Sequence, residues 1–167
     1  MLIKNQVRSA SIPASGLPGE LNTAKGEQIL AGAMTIFMRE GFAATSMEQI
    51  AKEAGVSKGT LYNHFESKQA LFSTLIEREC AAINNQVFDF KDMTGIPEAV
   101  LMKLGIGFMR SVLNPHAMSV YRNMIAESQK FPELGQLFMK SGPEAGSLSL
   151  GKYLRRLADE GILAVDD

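Results

Sequence analysis

Apolar residues recur every three or four positions over most of the chain, and the runs are separated by glycine, proline and short polar clusters. That spacing buries one stripe of a helix and leaves the rest in water. Ile29, Leu30, Ala33, Ile36 and Phe37 predict a first helix over residues 23 to 40, stopped by Gly41, with Phe42 folding back onto it. A second begins at Thr45 or Ser46, each with a capping partner three residues on, Glu48 or Gln49. Ile50, Ala51 and Ala54 share its inner face, Gly55 turns the chain, and Val56 fills the elbow. Ser57 caps a third helix that buries Leu61 and Phe65. Ser67 caps a fourth, with Leu71, Phe72, Leu75, Ile76, Ala82, Ile83 and Val87 in helical spacing to about Phe90. Rising ~1.5 Å per residue, that helix is a rod of about 30 Å.

Beyond it, Gly95 and Pro97 break and restart the helical pattern, and Leu101, Leu104, Phe108 and Val112 line one face. Asn114-Pro115 opens a helix with Met118, Tyr121, Met124 and Ile125 inward. Phe131-Pro132 opens the next, with Leu134, Leu137 and Phe138, and Gly142-Pro143 breaks again. Leu150, Tyr153, Leu154 and Leu157 mark a last helix that ends at Gly161. No strand-like alternation interrupts this pattern, so the chain is read as all-α. Residues 1–22, rich in serine, proline and glycine, read as a disordered arm whose Lys4 and Arg8 are in reach of a DNA groove or simply solvated. A first helical unit over 23–70 and a second helical domain over 71–167 follow.

The two helices on either side of Gly55 carry the chemistry. An apolar residue, alanine, glycine-valine and a leucine five positions later is the steric pattern of a DNA-binding helix-turn-helix, with small Ala51 at the crossing. Lys58, Thr60, Tyr62, Asn63 and His64 point outward and can bond phosphates and base edges. Bulk electrostatics lend no support: the net charge is −1, the pI is near 6.1, and acids balance bases between residues 23 and 70. DNA affinity then rests on placement, with Lys58 and Lys68 flanking the recognition helix and helix N-termini adding N–H donors.

The same stretch resembles the TetR family of transcriptional regulators. The resemblance is carried by Gly41-Phe42, Thr45, Ile50-Ala51, the run from Ala54 to Tyr62, His64-Phe65, Ser67-Lys68 and Leu71-Phe72. It implies a homodimeric repressor that binds a palindromic operator in double-stranded DNA and leaves it when a small apolar or amphipathic effector binds. By resemblance Thr45, Ser46, Tyr62, His64 and Lys68 hold phosphates, while Lys58, Gly59, Thr60 and Asn63 lie nearest the bases and Ser57 opens their helix. The rod becomes the connector between DNA-binding and ligand-binding parts. Members often carry an arginine near the start of the first helix, where this chain has Lys25 and Gly26. The chain is also expected to lack the family's terminal dimerisation helix.

Phe108, Met109, Met118, Tyr121 and Met124 suit an adaptable apolar effector pocket and would equally suit an ordinary core. The single cysteine, Cys80, excludes an intrachain disulfide and reads as a small apolar residue. His116 has no second histidine or cysteine at ligand spacing, so neither a metal nor a cofactor is expected. No apolar run is long enough to span a bilayer and no export signal opens the chain, which points to the cytoplasm. An enzyme built on Cys80, His64 or His116 lacks a nucleophile-base-orienter trio. An interaction module that no longer binds DNA and pairs with other regulators is the remaining alternative.

Overall fold

The computed structural model describes residues 24–90 and 95–164, and within them all regular structure is helical. The expected arm over 1–22, with Lys4 and Arg8, lies outside the described residues. The helices are α1 (Ala24–Glu40), α2 (Met47–Glu53), α3 (Lys58–His64), α4 (Lys68–Val87), α5 (Pro97–Val112), α6 (Pro115–Ser128), α7 (Pro132–Met139) and α8 (Ala145–Asp159). A π-helical turn, Lys140–Glu144, joins the last two.

Helix starts follow the capping chemistry. Of the two candidates before α2, Ser46 is the cap: its hydroxyl accepts from the Gln49 amide at 3.2 Å and its own amide donates to Gln49 Oε1 at 2.7 Å. Thr45 is buried and donates its hydroxyl to the Gly41 carbonyl at 2.7 Å, tying the loop to the end of α1. Ser57, Ser67 and Asn114 cap α3, α4 and α6 through their side-chain oxygens. Gly41 and Gly55 take φ of +82° and +64°, where a Cβ is strained.

One core joins α1 to α4 and reaches into α6 and α7 through Met124 and Leu134. Phe42 is its aromatic centre, with ring centroids 5.7 Å from Phe37, 4.7 Å from Phe72 and 4.9 Å from Phe131. A smaller cluster packs α5 on α8 through Val100, Tyr153 and Leu157. Ala51 is buried, and α1 and α2 approach closely nearby: a Cβ on Gly32 would stand 2.7 Å from Ala54 Cα. Arg78 of α4 grips Glu27 of α1 with two bonds of 2.6 and 2.7 Å, which pins the rod to the first helix.

Three expectations are corrected. Helix α4 stops at Val87, and Phe90 leaves it to stack on Tyr153 at 4.4 Å and 8°. Gly142-Pro143 does not break the chain direction. Pro143 sits inside the π turn, where a widened ladder accommodates its missing N–H, and Asn84 Nδ2 donates to the Ser141 and Gly142 carbonyls at 2.8 and 3.3 Å. In α6 the buried stripe is Ala117, Val120, Met124 and Glu127, so Met118 and Ile125 are exposed rather than inward. The phase of α6 is set by the N-terminal core, which Met124 enters, and not by its own most apolar face.

Because the Gly32 contact is with backbone, no rotamer change relieves it. Gly32→Ala is expected to lower stability by about 1–3 kcal/mol, read as a fall in the urea midpoint with an unchanged slope.

Candidate nucleic-acid interface

Helix α3 stands on Leu61 and Phe65, which are fully covered, and turns its other face to solvent. Ser57, Lys58, Gly59, Tyr62 and Asn63 are exposed there, with Thr60 and His64 half-buried at the margins. The Thr60 and Ser57 hydroxyls are 2.8 Å apart. A Cβ on Gly59 would meet only Ser57 Oγ, at 3.8 Å, so the fold itself makes no demand for glycine at that point. Lys58 pairs with Glu48 of α2, and its ammonium lies 5.8 Å from the Tyr62 ring centre. Glu48 holds the Lys58 pKa above its ordinary value, so the charge is permanent at neutral pH. An exposed pair of this kind is weak and readily exchanges its carboxylate for another anion.

The structure gives Thr45 and Lys68 different tasks from the phosphate contacts expected. Both side chains are engaged inside the domain. Lys68 Nζ donates to the carbonyls of Phe42, Ala43 and Thr45 at 2.7, 3.3 and 2.7 Å, which uses its three protons. The ammonium also lies 4.6 Å from the centre of the Phe42 ring. Burial lowers its pKa, an effect the Glu127 charge opposes. Lys68 therefore clamps the link between α1 and α2, while Ser46 is occupied in its capping box.

Several residues that organise this face carry no sequence signature. Gln28 Nε2 donates to the Ala54 carbonyl at 2.7 Å and so closes the end of α2. Arg39 bonds Glu40 and Glu53 at 3.2 Å each, and Gln49 donates to Glu40 at 2.9 Å. Apart from the adjacent Arg39–Glu40 pair, these bonds join residues 9 to 26 positions apart whose polar side chains individually read as surface groups. Only their positions in the folded helices bring them together.

On the far side of α4 lies a cavity of about 560 Å³. Phe88, Leu104, Phe108, Tyr121, Phe138 and Leu150 form most of its wall, and Cys80, Asn84 and Ser147 add small polar atoms. None of its lining residues is ionisable with a charge at neutral pH: burial pushes the Cys80 thiol up to about 11 and raises the Tyr121 hydroxyl. Phe108 and Tyr121 are thus part of the wall, and three other expected lining residues lie elsewhere. Met109 faces a shallow hollow on the outside of α5, Met118 is exposed, and Met124 is in the core. His116 Nε2 lies 3.3 Å from Glu79 Oε2 and takes no part in the cavity. Among the described residues no cluster of metal-binding side chains occurs.

Residues 29–75 match the family described as bacterial regulatory proteins, tetR family, and residues 99–167 match the AefR-like transcriptional repressor C-terminal domain. The flavonoid-responsive regulator FrrA superposes with a TM-score of 0.74 at 34% identity, over 86% of this chain and 72% of that one. The chain belongs to the TetR family. A putative TetR-family regulator from Mesorhizobium loti MAFF303099 superposes with a TM-score of 0.76 at 27% identity, again over 86% and 72%. By sequence, the HTH-type transcriptional regulator YerO of Bacillus subtilis (strain 168) is 32% identical over 153 residues, 84% of this chain and 52% of YerO. The chain thus spans about half the length of the curated TetR relatives it matches, as also for AcrR of Shigella flexneri, where the figure is 49%. No helix among the described residues is long and apolar enough to cross a membrane.

The clamp and the outward lysine are separable by stability. Lys68→Met, which keeps the stem and removes the donors, is expected to destabilise by about 1–3 kcal/mol. Lys58→Ala is expected to leave the urea midpoint unchanged. Equal midpoints for both variants would refute the clamp.

Proposed function

We propose that this chain is the DNA-reading and effector-sensing part of a homodimeric transcriptional repressor. The observation that carries the reading is the division of α3 into a buried side, Leu61 and Phe65, and an exposed side with Lys58, Gly59, Tyr62 and Asn63. A helix so mounted, preceded by a tight turn, is built to enter a major groove. Lys58 exchanges Glu48 for guanine O6 and N7 or a phosphate, the backbone at Gly59 admits a close base, and Tyr62 and Asn63 reach flanking phosphate and base edges. Ser57, Thr60 and His64 border the same face. Two copies related by a two-fold axis read the two halves of a palindromic operator. The exposed apolar residues Met139 and Leu148 on α7 and α8 offer surface for that pairing.

The effector belongs in the cavity behind α4. Its aromatic, uncharged wall suits a neutral aromatic molecule, and the name of FrrA records a flavonoid-responsive regulator. Binding favours a state whose recognition helices no longer match the half-site spacing, and a differential affinity of ~3 kcal/mol shifts the balance more than a hundredfold.

Fluorescence anisotropy against duplexes tiled across the gene's upstream region, at two salt concentrations, tests the DNA reading. One palindromic duplex is expected to bind far more tightly than scrambled controls, with Lys58→Ala and Tyr62→Ala each weakening it about tenfold or more. Equal, weak binding to every duplex would refute it. For the cavity, the neutral dye N-phenyl-1-naphthylamine is expected to brighten on binding. Ile125→Trp, at an exposed position on the cavity wall, should weaken that binding about tenfold, or ~1.4 kcal/mol, with little change in folding stability. A dye that stays dark would refute the cavity as an effector site.

A further inference from the structure

Helix α6 touches both functional parts of the chain. Tyr121 and Ile125 line the cavity, Met124 is buried in the core beneath the helix-turn-helix, and Glu127 lies in the last turn. Glu127 Oε1 accepts from the Ala43 amide at 3.3 Å, in the link between α1 and α2. Within the N-terminal domain the link is held by Lys68 and Thr45, and Glu127 makes a directional contact that reaches it from the C-terminal helices. The other contacts of α6 and α7 with this region include the Phe131 ring against Phe42 and Asn123 Nδ2 at 3.6 Å from Met38 Sδ. Apolar faces and a weak sulfur acceptor slide with little change in energy, whereas a hydrogen bond does not.

The Glu127 charge favours that of Lys68 nearby, but the rest of its surroundings oppose a carboxylate. The C-terminal turn of a helix disfavours negative charge. The residue is nine-tenths buried, and its Oε2 has no hydrogen-bond partner among the described residues. A position that violates both rules is where function is expected to override stability.

Resting on the proposed DNA and effector reading, we propose that Glu127 is a positioning residue that latches the α1–α2 link to α6 and transmits cavity occupancy to the helix-turn-helix. A molecule between α6 and α4 displaces Tyr121 and Ile125. The 3.3 Å bond at Ala43 is already long, so a small shift of α6 breaks it and frees the link that sets the start of α2.

Hydrogen exchange of the full chain, with and without N-phenyl-1-naphthylamine, tests this. In ligand-free Glu127→Met, which keeps the length and loses the carboxylate, amides 41–46 are expected to exchange about tenfold faster with no fall in the unfolding midpoint. Glu127→Gln keeps an acceptor and should stay within about twofold of the parent. The dye should speed the same amides in the parent and have no further effect in Glu127→Met, although that variant binds it equally well. Unchanged exchange in ligand-free Glu127→Met, or a dye response that persists in it, would overturn the latch. If the dye binds no variant, the cavity reading fails by itself, and the ligand-free comparison still decides the role of Glu127.

Discussion

The packing of Phe42 is the constraint on which both halves of the chain depend. Its ring meets Phe37 of α1, Phe72 of α4 and Phe131 before α7, and the Lys68 ammonium lies close to the ring centre. A residue directly after a helix-ending glycine is thus fixed from four directions. The carbonyls around it would be stranded so close to an apolar core, and Lys68 gathers them. The orientation of α2, and through it α3, follows from how this short link is seated. Helix α3 is therefore positioned by residues that make no part of its exposed face.

Much of the N-terminal unit was legible because its signals are local. Serine caps, the glycines at 41 and 55 and the spacing of Leu61 and Phe65 each act within one or two turns, and each is seen where expected. The internal bonds of Lys68 were hidden for the opposite reason. Its sequence context shows a cation beside a recognition helix, while its three acceptors lie more than twenty residues away in the chain. The C-terminal helices were found in number and order. Their faces were less legible, because most of their turns carry apolar residues on two sides and tertiary packing decides which side is buried. Met124 and Met118 differ by six positions in one helix, and nothing in their type says that one is core and the other exposed.

Helix α4 is shared property. One face is locked to α1 by the Arg78–Glu27 pair, and the other supplies Cys80, Ile83 and Asn84 to the cavity wall. The bidentate pair resists rotation of the rod against α1. The weak electrostatics of the exposed face fit such an arrangement. With no excess of positive charge, DNA binding of the kind proposed depends on the relative placement of a few groups.

Asn84 gives the cavity a polarity that its composition hides. Both protons of its amide group face the unwound carbonyls around Pro143, so the donor half is committed to keeping the π turn intact. What remains uncommitted is the carbonyl half, Oδ1, beside Gly146. At this point the wall can receive a proton but cannot offer one.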